Sequence, residues 1–216
     1  MLSELNDQPR TQKSETRERI VESARQLFFQ QGYTATGIAQ ILHESGSNSG
    51  SLYHFFPTKE DLLVAVLERY RDMLQSHVIG PAYERVSDPV ERVFAVLDGY
   101  RQLLNVTDFN LGCPIGNLAL EMSNSHPNVR RLIVENFQGW CAAVQDTIEQ
   151  AMGRFPEETN AQQLSRYVLA AMEGAVMLAR TYRDLEPFDS AVLQLRDHFD
   201  RLIADGTSWS APKPAA

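Results

Sequence analysis

Residues Gly46–Leu63, reading GSNSGSLYHFFPTKEDLL, restrict the fold of this chain more than any other stretch. A short polar turn opens into SLYHFF, and Pro57 then breaks the chain, because proline has no N–H for a helix ladder. Thr58 and Asp61 have the spacing of a capping box for a fresh helix, with an apolar run beginning at Leu62. The segment before Pro57 is predicted to be a short helix carrying Ser49, Ser51, Tyr53 and His54. Small and aromatic hydrogen-bonding groups crowded on so short a helix suit phosphates and base edges. The segment reads as a DNA-recognition helix rather than a catalytic loop.

The residues upstream agree. From Thr16 to Gln31 the apolar positions Ile20, Ala24, Leu27 and Phe28 fall on one helical face, and Gly32 stops the helix. Thr36 is placed to cap a second, shorter helix with Ile38, Ile41 and Leu42 on its buried side. Ser45-Gly46-Ser47 makes the tight turn into the third. Helix, short helix, glycine turn, short helix is the order of a helix-turn-helix, although a generic three-helix bundle has the same periodicity.

Beyond residue 70, Pro81, Pro89, Pro114, Pro127, Pro156 and Pro187 separate stretches of helical periodicity. Pro89, Pro114 and Pro127 suit first helical turns, and Asp88-x-x-Glu91 and Thr159-x-x-Gln162 add start signals. The helices are expected at roughly 59–79, 89–105, 114–123, 127–153, 159–184 and 188–204. Asp98-Gly99 lies inside a helical pattern instead of between alternating strands, so the expected fold is all-α.

Composition adds bounds and one difficulty. No run of 18 or more apolar residues exists to span a membrane, and the first residues contain no signal core, so a cytoplasmic protein is expected. Two cysteines make no disulfide framework. The net charge is −8, and residues 1–60 hold 6 Lys+Arg against 7 Asp+Glu, whereas DNA-binding domains are usually basic. Placement answers this: Arg10, Lys13, Arg17 and Arg19 cluster at the start, and only the face that meets phosphate must be positive.

Residues 16–67 resemble the amino-terminal domain of the TetR family of transcriptional regulators. The resemblance rests on Phe29-Gln30-Gln31-Gly32-Tyr33, Thr36, Ile41, Gly46, Gly50-Ser51-Leu52-Tyr53-His54-Phe55-Phe56 and Lys59-Glu60-Asp61-Leu62. Ser47, Asn48 and Ser49 depart from the family's usual Val, Ser and Lys, and the missing lysine removes one contact to phosphate or guanine. The resemblance implies an arm at 1–13, a DNA-binding domain at 14–58, a helical ligand-binding and dimerisation domain at 59–205 and a tail at 206–216. The candidate DNA contacts are Arg17, Thr36, Ser47, Asn48, Ser49, Ser51, Tyr53, His54 and Lys59.

The resemblance also implies a homodimer through the last two helices, Ala161–Leu185 and Phe188–Ala204, bound to a palindromic double-stranded operator. Leu164, Val168, Ala171, Ala175 and Leu178 in the first, and Ala191, Leu195, Phe199 and Leu202 in the second, follow helical spacing. They are read either as that interface or as an intramolecular core stripe.

Residues 111–122, LGCPIGNLALEM, resemble a Gly-Cys-x-x-Gly-Asn-x-x-x-Glu segment of family repressors that respond to small reactive or unsaturated compounds. The matching residues are Gly112, Cys113, Gly116, Asn117 and Glu121. Pro114 at the first helical position leaves Cys113 at the N-cap, where a helix terminus would lower a thiol's pKa. Cys113 is thus expected either as an electrophile target, with Arg180 assisting if near, or as a buried packing thiol. The candidate ligand-binding residues are Phe94, Tyr100, Cys113, Asn117, Phe137, Trp140, Glu173 and Met177, for an unknown small-molecule effector.

No cofactor is expected. The five histidines lack metal-site spacing, and no Gly-x-Ser-x-Gly or phosphate loop occurs, so an enzyme is disfavoured. A helical protein-interaction module without sequence-specific DNA binding is the alternative. It leaves the polar and aromatic pattern of residues 46–62 unexplained.

Overall fold

The computed structural model describes residues 12–205, the side chain of Asp205 excepted. The arm and tail expected at 1–13 and 206–216 lie outside these residues, apart from Gln12 and Lys13, which already belong to the first helix. The described residues contain helices and no strand, with α-helices α1 (Gln12–Gln31), α2 (Ile38–Ser45), α3 (Ser49–Phe55), α4 (Lys59–Met73), α5 (Gly80–Arg85), α6 (Pro89–Val106), α7 (Pro114–Met122), α8 (Pro127–Glu149), α9 (Ala161–Tyr182) and α10 (Glu186–Asp205). The fold is all-α, as the proline spacing requires.

The chain divides into two compact units. The first takes the described residues up to Arg69 together with Asn117–Ile133; the second takes Tyr70–Gly116 and the described residues from Val134 onward. The packing boundary therefore differs from the division at residue 58 implied by the resemblance. Most of α7 and the start of α8 pack with the first three helices, which proline spacing along the chain cannot reveal.

In the first unit α1 packs on α2 and α3. Ile20, Ala24, Leu27, Phe28, Ile41 and Leu52 are buried. Burying each large apolar side chain contributes roughly 1.5–3 kcal/mol. The second unit has a continuous core through α6, α8, α9 and α10, with Phe199 edge-on to both Phe94 and Phe155.

Several start signals hold atom by atom. Asp88 accepts from the Val90 and Glu91 amides, and Thr58 and Asp61 bond reciprocally at the start of α4. Two readings need correction. The cap of α9 is Asn160, which accepts from the Gln163 amide, one residue after the expected Thr159. Pro81 was expected to separate helices, yet the chain passes through it as a π-helical turn, Leu74–Ile79, running into α5. The wider turn sends the Gly80 amide to the Gln75 carbonyl and accommodates the proline. A Cβ on Gly80 would stand 2.8 Å from that carbonyl oxygen, so this crossing requires glycine.

Candidate nucleic-acid interface and effector cluster

Turn geometry sets the direction of α3. Gly46 adopts φ +60°, ends α2, and sends its amide to the His43 carbonyl. Asn48 then caps α3 by accepting from the Ser51 amide at 2.8 Å. Leu52 is fully buried and pins the inner face, which leaves Tyr53 about half exposed at 51% and His54, Ser49 and Asn48 exposed. Asn48, Gly50, Ser51, His54 and Phe55 form one wall of an open groove of about 680 Å³; Gln12, Lys13 and Thr16 at the start of α1 form the other. A polar floor with a lysine at its rim suits a phosphate backbone better than an apolar ligand. Lys13 was noted in the sequence only for its charge, and helix geometry makes it a groove residue.

The remaining candidates on this side divide. Ser47 is half-buried at the α2–α3 turn, and Arg17 lies over the Phe56 ring at 5.3 Å with part of its side chain accessible. Thr36 faces inward. It is 1% exposed and donates to the Gly32 carbonyl at 2.7 Å, while Gly37 occupies the cap of α2 without a side-chain bond. Its expected capping and DNA-contacting roles are both corrected: the hydroxyl closes the turn after α1. Lys59 is folded back, donating to the Tyr33 carbonyl and lying 4.1 Å from the Tyr33 ring centroid. Burial lowers its pKa, against an opposing pull from Glu121.

In the second unit, α6, α8 and α9 bring Tyr100, Trp140 and Glu173 around Cys113 at the start of α7. The Gly116 amide donates to the Cys113 sulfur at 3.4 Å, so the N-cap placement stands. The expected fall in thiol pKa does not follow. Burial, then the charge of Glu173 and a hydrogen bond to it, push the thiol well above its ordinary range, outweighing the helix-start amides. Cys113 is a buried thiol, 6% exposed, and both cysteines are free.

Burial also raises the Glu173 carboxyl, with the Cys113 hydrogen bond opposing. Its Oε1 finds no partner, while the Trp140 indole faces the Tyr100 hydroxyl as a hydrogen-bonding neighbour. Burial pushes the Tyr100 hydroxyl up as well, reinforced by Cys113 and Glu173. A Cβ on Gly116 would stand 2.1 Å from Glu173 Oε2, so the glycine makes room for the carboxylate. Arg180 lies against Gly112 and donates to the Asn110 carbonyl, holding that loop.

The other expected ligand residues divide by burial. Phe94 is core, stacked edge-on with Phe199 and covered by Arg196 at 3.4 Å. Phe137 is half-buried, Asn117 belongs to the first unit, and Met177 is 53% exposed. Among the α9 and α10 residues read either way, Leu164, Val168, Ala175, Leu195 and Phe199 form this chain's own core. The exposed apolar residues Tyr167, Met177, Leu178 and Tyr182 lie on α9, with Leu193 on α10.

Residues 20–66 match the profile of bacterial regulatory proteins of the tetR family, and residues 89–194 match the C-terminal domain of LmrA/YxaF-like transcriptional regulators. The uncharacterized HTH-type transcriptional regulator YxaF of Bacillus subtilis is 33% identical over 177 residues, covering 82% of this chain and 91% of that protein. The chain belongs to the TetR family. LmrA, an HTH-type transcriptional regulator of the same organism, is 31% identical over 80% of this chain and 90% of its own length. The reduced form of Escherichia coli NemR superposes with a TM-score of 0.74 at 25% identity, over 88% of this chain and 97% of that one. As in the rest of the TetR family, the relatives are DNA-binding transcriptional regulators and not enzymes. No helix among the described residues is long and apolar enough to cross a membrane.

Proposed function

We propose that this TetR-family chain is a homodimeric repressor that a small apolar or electrophilic effector releases from a palindromic operator. The exposed face of α3 carries the reading: Ser49, Tyr53 and His54 stand clear of the core, beside the groove that Lys13 and Thr16 complete. Repression follows the habit of relatives such as NemR of Escherichia coli, an HTH-type transcriptional repressor. A second copy is the occupant proposed for the exposed face of Tyr167, Met177, Leu178 and Tyr182, since two reading helices about 34–36 Å apart meet successive major grooves.

The effector site is the cluster of Cys113, Tyr100, Trp140 and Glu173. Its unpartnered acceptor, Glu173 Oε1, beside the Tyr100 and Trp140 rings, suits a ligand with a polar edge on an apolar body. An effector that prefers the released state by a few kcal/mol suffices. A covalent route must take the proton from a protonated thiol, and Glu173 is the group beside Cys113 able to receive it.

The first test incubates the full chain with genomic fragments from its own organism and sequences what is retained. A few palindromic sites are expected; no enrichment even at low salt would return the protein-interaction reading. On a recovered site, Tyr53→Ala should weaken binding about tenfold to a hundredfold with helicity and dimer mass unchanged. Unchanged affinity would sink the assignment of α3. Cys113→Ser should abolish release by a quinone; full release would leave only reversible binding.

A further inference from the structure

We infer that Glu121, on α7 and far along the chain from the helix-turn-helix, is a positioning residue for DNA binding, clamping the loop that orients α2 and α3. The inference rests on the DNA-binding reading of the α3 face. The Glu121 carboxylate receives two backbone amides at the end of α1, Tyr33 N–H at 2.9 Å and Thr34 N–H at 2.6 Å. Two charge-assisted bonds to one carboxylate fix both the position and the tilt of the peptide units that make them. From α4, the Lys59 ammonium takes the Tyr33 carbonyl and covers the ring of the same residue. The loop is thus held by an anion at its N–H groups and a cation at its carbonyl.

Three further observations place this clamp in the first unit's architecture. Gly32 has φ +86°, and a Cβ there would stand 3.1 Å from Glu121 Oε2, so the glycine permits both the turn and the close carboxylate. His126, in the connection after α7, meets the Tyr33 ring edge-on at 6.2 Å between centroids. Thr36 seals the far side through the Gly32 carbonyl, immediately before α2 begins. Residues Asn117–Ile133 accordingly belong to the same compact unit as α1, α2 and α3. Lys59 serves this clamp, which removes it from the set of phosphate contacts.

The test uses the full chain and an operator fragment recovered by genomic selection. Glu121→Gln keeps the shape but loses the charge and one acceptor. It should weaken operator binding by about tenfold or more. Amide exchange should quicken at Tyr33 and Thr34 while Ile20–Phe28 stay protected. Lys59→Met, which removes the opposing charge, should weaken binding less, and the double variant should fall short of the product of the single effects. Wild-type affinity and wild-type exchange in Glu121→Gln overturn the inference while leaving the regulator reading intact. Exchange that quickens along Ile20–Phe28 as well overturns it too, because Glu121 would then only stabilise the unit. A wild-type chain that enriches no fragment overturns the DNA-binding reading itself, and this inference with it.

Discussion

Two carboxylates, one in each unit, have opposite surroundings. Glu121 is partly buried, but amides from Tyr33 and Thr34, the Thr34 hydroxyl and nearby Lys59 outweigh that burial and lower its pKa. Glu173 is also enclosed, yet burial dominates, its pKa rises, and Oε1 has no partner. Each packs on a glycine, Gly32 for Glu121 and Gly116 for Glu173. The difference separates a group that completes the resting fold from one left with capacity for something else. A satisfied anion stabilises; an orphaned buried acceptor costs free energy and is kept where a site needs it.

The largest effect that would sharpen this contrast is expected from Gly32→Ala. Its left-handed φ and the nearby carboxylate should cost about 1–2 kcal/mol, read as a lower melting temperature. A loss as small as that of an ordinary surface substitution would show that the clamp tolerates displacement. Gly116→Ala should cost less, about 1 kcal/mol, because the Glu173 carboxyl is the far end of a side chain and can swing away from the new methyl. The clearer readout there is Cys113. With Glu173 displaced, the thiol should alkylate at lower pH than in the unaltered chain, and an unmoved pH profile would separate the two groups.

Glu173→Gln should give the smallest change, with the opposite sign. The folded carboxyl is raised, so its contribution is fully present in acid and is lost as pH climbs through the folded value. Above the folded value the amide should therefore stabilise relative to the carboxylate, and the advantage should shrink as pH falls toward the ordinary carboxylate range. For Glu121 the sign reverses: its contribution is present at neutral pH and lost as pH falls through its lowered folded value. Parallel melting curves for Glu173→Gln and the unaltered chain at every pH would end the comparison.

Much of the fold was legible because its determinants are local. The Asp88 cap and the Thr58–Asp61 box use groups within three residues of one another, so spacing suffices to find them. Tyr53 and His54 were legible as hydrogen-bonding groups on a short helix, and the buried Leu52 beside them settles that they face outward. Thr36 misled for the same local reason: a threonine before a short helix fits a cap, but its hydroxyl found the Gly32 carbonyl first. On α9, helical spacing identified a stripe without saying what covers it, and Leu164, Val168 and Ala175 turned out to serve this chain's own core.

The cluster around Cys113 was half legible. Cys113 before Pro114 could be placed at a helix start, where an amide does reach its sulfur. The sign of its pKa shift could not be read, because it depends on Glu173 and on burial by α6 and α8. Glu121 stood out only as part of a segment resemblance. Its partners at Tyr33 and Thr34 lie 88 and 87 residues away.

The sequence by itself therefore determined the helices, the caps at Asp88 and Thr58, the polar and aromatic face of α3 and the membership of the family, since periodicity, proline and short-range hydrogen bonds act within a few residues. Tertiary structure alone decided which carboxylate is satisfied and which is left open, that Lys59 turns inward, and that the Cys113 pKa rises where a helix start would lower it. Those outcomes depend on desolvation and on charges brought together by the fold, and neither has a signature in local spacing.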